Sequence, residues 1–286
     1  MKILVFLIIG ATFLEAQSVL GLQLEREKWV GLGFYLAPHA PGKRAQVYNS
    51  CFADKDLFLK LAFEKNQGAL LTGLGWKGHV FALRGSNGLG VWCLANSMGI
   101  IPELVFYKDY TEAQKLYKDR KVWLKKDYFY TRGEGSEPRK YKSRRFDVLE
   151  VISVELAPAS SKRSIRVNLR NAKGFPGFFD VAMTGVNRMG PFRGLEEFCF
   201  LKSPLDHYQI KAEVWDKIVQ SQVSLGMTLQ EVLLALGEPL SDDGLSPTQT
   251  LLFRYGNSLQ QMVFYKGKLD QILPYSDDGI LPIGNQ

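Results

Sequence analysis

Apolar residues recur at helical spacing most clearly in residues 225–239. Leu229, Val232, Leu233 and Leu236 fall at i, i+3, i+4 and i+7, which predicts a helix with one apolar face. Thr228 precedes it and Glu231 stands three residues on, the pattern of a capping box. Gly237 follows the last periodic residue, and Pro239 forbids continuation. Residues 210–219 predict another helix, with Val214, Trp215 and Ile218 on one face. Beyond a polar loop the pattern becomes strand-like over residues 250–255, 261–265 and 269–273. The turn between the last two carries Lys266-Gly267-Lys268.

Upstream, short apolar runs punctuated by glycine and proline predict mostly β structure over residues 27–101. Residues 29–36, 46–48, 79–83 and 89–93 read as strands, and residues 53–65 as a short helix of weak periodicity. Residues 102–116 read as a connector with some helix. Residues 117–200 are again β-rich, with strands expected at 122–124, 147–155, 164–169 and 178–183. Ile165, Val167 and Leu169 alternate onto one face of the third of these. Residues 132–145 read as a polar, charged loop. No fixed-period repeat stands out in the sequence.

Several of these features carry resemblances. Gly226-Met227-Thr228, Val232, Leu236-Gly237-Glu238-Pro239, the aromatic strand with Phe253 and Tyr255, and Val263-Phe264-Tyr265 with Gly267-Lys268-Leu269 resemble the SmpA/OmlA (BamE-like) family of bacterial envelope proteins. The resemblance covers residues 205–275. It implies a helix-helix-antiparallel meander module that works through protein–protein contact, in outer-membrane assembly or envelope integrity. Proteins of that family are typically anchored through a cysteine just after the signal. Here the first cysteine is Cys51, so no lipid anchor carries over. Gly88-Leu89-Gly90-Val91-Trp92-Cys93 resembles a late hairpin of an SH3-like domain. The expected fold class is therefore a multidomain, β-rich chain. Two small SH3-like barrels, over 27–101 and 117–200, precede a C-terminal α+β module over 205–275.

Charge and termini add to this picture. Lys2, the apolar run 3–14 and the small residues around Ala16-Gln17-Ser18 read as a signal peptide over residues 1–18. Glu15 interrupts the run, which is too short to span a membrane, so an exported, soluble protein of the periplasm or exterior is expected. Residues 104–145 hold 13 Lys/Arg against 6 Asp/Glu, whereas residues 205–286 hold 5 against 10. Such asymmetry points to different surfaces for different partners. Cys51, Cys93 and Cys199 are the only cysteines. One disulfide with a free thiol, or three buried thiols, are both open from sequence.

Catalytic and cofactor signatures are weak throughout. Gly73, Gly75 and Gly78 spell GxGxxG, but a strand rather than a helix is expected after them, so a dinucleotide site is not expected. That stretch and residues 85–90 read as β-turns, and the latter lacks the Lys-Ser/Thr of a phosphate loop. His39, His79 and His207 form no metal motif. No cofactor is expected, and the protein reads as a non-enzyme. Candidate interaction residues are Phe253, Tyr255 and Phe264, at least half of them expected in the core, and Lys121, Lys125, Lys126 and Tyr128 from a basic, tyrosine-rich stretch. A second basic cluster holds Arg139, Lys140, Lys142, Arg144 and Arg145. Basic and aromatic residues together suit single-stranded nucleic acid. For an exported chain, anionic lipid or wall polymers fit better, and no nucleic acid is expected. The leading expectation is an envelope protein acting through protein–protein contact with other envelope proteins. The alternatives are an SH3-like binder of cell-wall glycan or an anionic surface, an inhibitor, and a hydrolase using Cys93 or Cys199.

Overall fold

A computed structural model describes residues 26–39, 47–132, 138–184, 194–242, 248–256 and 258–275. The signal segment lies outside the described residues. The chain divides into two compact units, Met1–Leu201 and Lys202–Gln286.

The first unit holds two curled, seven-stranded antiparallel sheets. One contains β1 (Gly33–Leu36), β2 (Val47–Phe52), β3 (Lys60–Ala62), β4 (Leu70–Lys77), β5 (Val80–Gly85), β6 (Gly90–Leu94) and β7 (Leu104–Phe106), in the order β3-β2-β6-β5-β4-β1-β7. The other contains β8 (Lys121–Leu124), β9 (Tyr128–Arg132), β10 (Pro138–Lys142), β11 (Val148–Leu156), β12 (Ile165–Asn171), β13 (Pro176–Val181) and β14 (Cys199–Phe200). Its order, β10-β9-β13-β12-β11-β8-β14, is the first order with every strand advanced by seven. The unit is thus a topological duplication.

Register supports the match. The first sheet has a bulge on β4 between Gly73 and Gly75, and the second has one on β11 between Val151 and Ser153. Leu74 and Ile152, the extra residues of the two bulges, are both exposed. Counting along the ladders from the bulges pairs Leu71 with Leu149, Leu83 with Leu169, Phe34 with Val122 and Cys93 with Phe179. The spacing of matched residues is not constant, since Leu71 matches Leu149 but Leu104 matches Cys199. A sequence period is therefore lost to loop length while the backbone ladder is kept.

The two interiors differ. The first core gathers Trp29, Phe34, Tyr48, Leu71, Phe81 and the two cysteines of its sheet. Trp29 sits at its centre, with its ring 5.3–5.5 Å from those of Phe34, Trp76, Phe81 and Phe106. Gly73 has to be glycine, because a Cβ there would overlap the Trp29 carbonyl and the Phe81 ring. The second core is mainly aliphatic, with Val122, Leu149, Val151, Ile165, Val167 and Leu169 around Phe129 and Phe179. Helix α1 (Tyr107–Tyr117) follows β7 and buries Ala113 and Tyr117 in this second core. Ala37 and Val105 reach the same core from the first sheet's side of the unit.

Several expectations need correction. Residues 53–65 hold β3 and turns, not a helix. Leu61 and Phe63 are buried around an exposed Ala62, a two-residue alternation. Residues 29–32 form a turn before β1, with Gly31 at φ 78°. Gly73 and Gly75 lie inside β4 rather than in a turn, whereas Gly78, at φ 60°, does sit between β4 and β5. The stretch expected as a charged loop contains β10. Pairing with β9 supplies its hydrogen bonds, so it needs no apolar alternation of its own.

In the second unit, α2 (Pro204–Tyr208) and α3 (Ala212–Val219) lead to α4 (Leu229–Leu236). A four-stranded antiparallel sheet follows, ordered β15 (Ser241–Asp242), β16 (Thr248–Tyr255), β17 (Ser258–Tyr265) and β18 (Lys268–Pro274). The capping box forms as the sequence suggests. Thr228 N–H donates to Glu231 Oε2 at 2.7 Å, and Glu231 N–H donates to Thr228 Oγ1 at 3.3 Å. Gly237 caps the far end at φ 91°, donating to the Leu233 carbonyl at 2.8 Å. Gly226 N–H donates to Leu269 O, and Leu269 N–H to Met227 O, which ties the helix entry to β18. Lys266 (φ 51°) and Gly267 (φ 77°) turn the last hairpin, as a two-residue connection with positive φ at both positions requires. Among the described residues no helix is long and apolar enough to cross a membrane.

Candidate functional site: a basic, aromatic edge

The most distinctive surface chemistry lies on the hairpin β9–β10, at one edge of the second sheet. Its register sets Arg139 opposite Thr131, Lys140 opposite Tyr130, Tyr141 opposite Phe129 and Lys142 opposite Tyr128. Lys140 Nζ lies 4.2 Å from the centre of the Tyr128 ring, and Tyr128 packs edge-on to Tyr130 at 5.6 Å. Such a cation–π contact holds the ammonium in place at the surface, worth about 0.5–1 kcal/mol. Arg132, Arg139, Lys140 and Lys142 are exposed. Tyr141 points the other way, against Phe129 at 5.0 Å and stacked on the part-exposed Phe175 at 4.4 Å.

At the end of β10 is a cleft of about 300 Å³, lined by Tyr141, Lys142, Arg144, Asp147 and Lys173 among others. Its one carboxylate is already engaged. Asp147 Oδ2 accepts from Ser143 Oγ at 2.7 Å and from the Arg144 N–H at 2.9 Å. Arg144 also pairs with this carboxylate, Nε to Oδ1 at 3.8 Å, so the positive surplus of the cleft comes from Lys142 and Lys173, and the cleft favours anions. Charge on an edge strand also discourages pairing with another sheet.

The sequence-derived candidates divide. Tyr128 belongs to this edge, and Lys121 and Lys126 are exposed at the start of β8 and in the turn after it. Lys125 is committed inward. Its ammonium donates to the Glu196 carbonyl and lies 4.6 Å from the Phe200 ring. Burial lowers its pKa, against the opposing pull of Cys199 and Glu196. In the C-terminal unit Phe253 and Phe264 are each 1 % exposed and Tyr255 packs on the same core, so the first two support the sheet instead of meeting a partner.

The residues that sequence reasoning missed are polar and cross-strand. Arg166 and Asp180 form a bidentate ion pair, with Nε to Oδ1 at 2.8 Å and Nη2 to Oδ2 at 2.9 Å. The guanidinium lies 3.9 Å from the centre of the Phe178 ring and is nearly buried. Ser161 Oγ donates to Asp180 Oδ2 at 2.8 Å, and Arg163 Nη1 donates to the Asp180 carbonyl at 2.9 Å. Arg166 follows Ile165 on the strand that the sequence does reveal, but its partner is one strand away.

The cysteines are resolved by geometry. Cys51 on β2 and Cys93 on β6 face each other and form a disulfide. Cys199 is free, buried, and its thiol pKa is pushed up by burial. Cys93 is thus unavailable as a nucleophile and Cys199 is held as the thiol, which removes both candidates named for a hydrolase. Among the described residues no three His, Cys, Asp or Glu side chains gather as a metal site.

Fold and site together define a β-rich protein with a duplicated seven-stranded sheet, a separate C-terminal unit and a cationic, aromatic sheet edge. No protein-family model matches the chain, and no curated protein matches it in sequence.

Proposed function

We propose that this is an exported, non-enzymatic binding protein of the bacterial envelope that engages an anionic surface through the β9–β10 edge. One observation carries this reading. Exposed Arg132, Arg139, Lys140 and Lys142 line a single hairpin, with Lys140 held over Tyr128 and the basic cleft beside it. Clustered cations on a rigid strand attract polyanions without a deep pocket, and their contacts weaken as salt rises. The curl of each seven-stranded sheet favours reading the two halves as SH3-like, barrel-forming modules. The test is retention on purified wall material and on a soluble acidic polymer across a salt series. The native chain is expected to be retained at low salt and released as salt rises. The triple substitution Arg139→Ala, Lys140→Ala and Lys142→Ala is expected to abolish most retention. Retention indifferent to both salt and these substitutions would refute the reading.

A second reading concerns the C-terminal unit, where the SmpA/OmlA resemblance suggests contact with other envelope proteins. The helix side of its sheet is filled by Met227, Val232, Phe253 and Phe264. The opposite face carries Leu252, Leu259, Val263 and Leu273, each only partly buried. In-cell photo-crosslinking from Gln261, on that outer face, is expected to capture an envelope protein. Neighbouring Gln260 is a poorer position, because its Oε1 is buried.

A further inference from the structure

Among the described residues the most exposed large apolar side chain is Phe58, at 88 %, and its neighbour Leu59 is 63 % exposed. Both sit on the turn between β2 and β3, at the edge of the first sheet. The turn is held in shape. Asp54 Oδ1 accepts the Leu59 N–H at 2.7 Å, Oδ2 accepts the Phe58 N–H at 3.4 Å, and the Ala53 N–H donates to the Leu59 carbonyl at 2.7 Å. Leu57 adopts φ 62°, a conformation L residues rarely take. Folding thus fixes an aromatic and an aliphatic side chain in water, where neither gains the stabilisation of burial. Exposed Lys55 and Lys60 flank the pair, with exposed Asp56 on the same turn.

The duplication puts this tip in correspondence with a charged edge. Hairpin β2–β3 occupies the place in the first sheet that β9–β10 occupies in the second. One edge hairpin carries the apolar tip, and its counterpart carries the cations of the proposed binding edge. A convex tip with an aromatic ring and an aliphatic chain fits the boundary between lipid headgroups and acyl chains. Flanking lysine stems can lie along that boundary while their ammonium groups reach phosphates. A single shallow insertion binds weakly and needs a second, electrostatic contact, which a basic segment near an anionic leaflet provides.

We propose that the anionic surface is a lipid bilayer, with Phe58 and Leu59 entering its interfacial layer and the β9–β10 cations pairing with its headgroups. This rests on the anionic-surface reading above and names the surface.

The experiment uses the full chain with Asp56→Cys, at an exposed position of the same turn that keeps both flanking lysines, carrying a nitrobenzoxadiazole fluorophore beside the tip. Cys199 is buried and the other two cysteines are paired, so labelling is local. Vesicles contain equal parts phosphatidylcholine and phosphatidylglycerol. A saturable blue shift is expected, together with quenching by a lipid-borne quencher. Phe58→Ser with Leu59→Ser should weaken vesicle binding about tenfold or more, with the unfolding midpoint unchanged because both side chains are exposed. An unshifted label, with salt-sensitive binding of a soluble acidic polymer retained, would overturn the bilayer and leave the anionic-surface reading standing. Loss of both would overturn both. Vesicle binding indifferent to the serine substitutions would overturn insertion of the tip.

Discussion

The two sheets of the first unit share one strand order and are held together differently. In the first, the strand pair β2–β6 is closed by the Cys51–Cys93 disulfide, over an aromatic cluster centred on Trp29. In the second, the matched positions are Phe129 and Phe179, and no covalent link replaces the disulfide. Instead its outer face carries the Arg166–Asp180 pair against Phe178, at the position matching Trp92. One backbone ladder therefore accepts covalent or ionic reinforcement. The ladder is set by main-chain groups, which every residue except proline supplies in full. Side chains then decide how the fold is secured and what its edges offer. The two halves also share a device: each buries one tyrosine hydroxyl near a glutamate. Tyr48 Oη donates to the Ala37 carbonyl at 3.0 Å with Glu103 nearby, and Tyr117 Oη donates to Glu196 Oε2 at 2.9 Å.

The comparison can be broken most forcefully at the ion pair. Arg166→Ala leaves Asp180 charged and half-enclosed, and should cost about 3–5 kcal/mol, measured by urea unfolding. The double substitution Arg166→Met with Asp180→Leu should cost far less, since it removes both charges and keeps volume. Equal losses would show that the pair is not what holds this face. Next comes the disulfide. Cys51→Ala with Cys93→Ala should cost about 2–4 kcal/mol, because the bridge closes a loop of sequence separation 42 in the unfolded chain. A reductant should lower the unfolding midpoint of the native chain and leave that of the double variant unmoved.

A smaller effect is expected outside the duplicated unit. Gly237→Val places a β-branched residue at φ 91° and should cost about 1 kcal/mol or more. Hydrogen exchange should report the loss in α4 and β16–β18 only. Protection lost equally in β1–β14 would contradict the division into two units.

The last prediction concerns pH and tests the shared tyrosine device. Burial first, and a nearby glutamate second, raise the pKa of both Tyr48 and Tyr117 above the ordinary 10.0. The unfolded chain then loses these protons before the folded one does. Their contribution is complete below pH 10 and is lost as pH rises beyond it. Lys125 acts in the opposite sense, since its lowered pKa makes folding more favourable as pH approaches the ordinary lysine value from below. Tyr48→Phe and Tyr117→Phe should each flatten the alkaline decline of the unfolding midpoint. A decline unchanged in both variants would refute the assignment.

Legibility followed locality. Helix α4 could be read because its period, capping box and terminal glycine lie within a dozen residues. Strand β12 was legible from alternation, and β5, β6 and β11 from short strand-like runs, to within a few residues at their ends. β4 was hidden by Gly73 and Gly75, which weaken the strand pattern, and of the two it is Gly73 whose absent side chain makes room for Trp29. β10 was hidden by its own chemistry. An edge strand buries little, and only Tyr141 and its pairing with β9 mark Pro138–Lys142 as a strand. The basic stretch was visible as composition, but composition could not separate Lys125, turned inward onto Glu196, from Lys140, held at the surface by Tyr128.

By itself, then, the sequence determined the local elements of the C-terminal unit, the β-rich character of the rest and the surplus of positive charge across residues 104–145. These depend on side-chain periods, caps and counts within short windows. Tertiary structure alone decided the duplication, the cysteine pairing, the Arg166–Asp180 pair and which lysines face outward. Each of these joins residues far apart in the chain, through ladders whose hydrogen bonds come from the backbone and leave little imprint on residue identity.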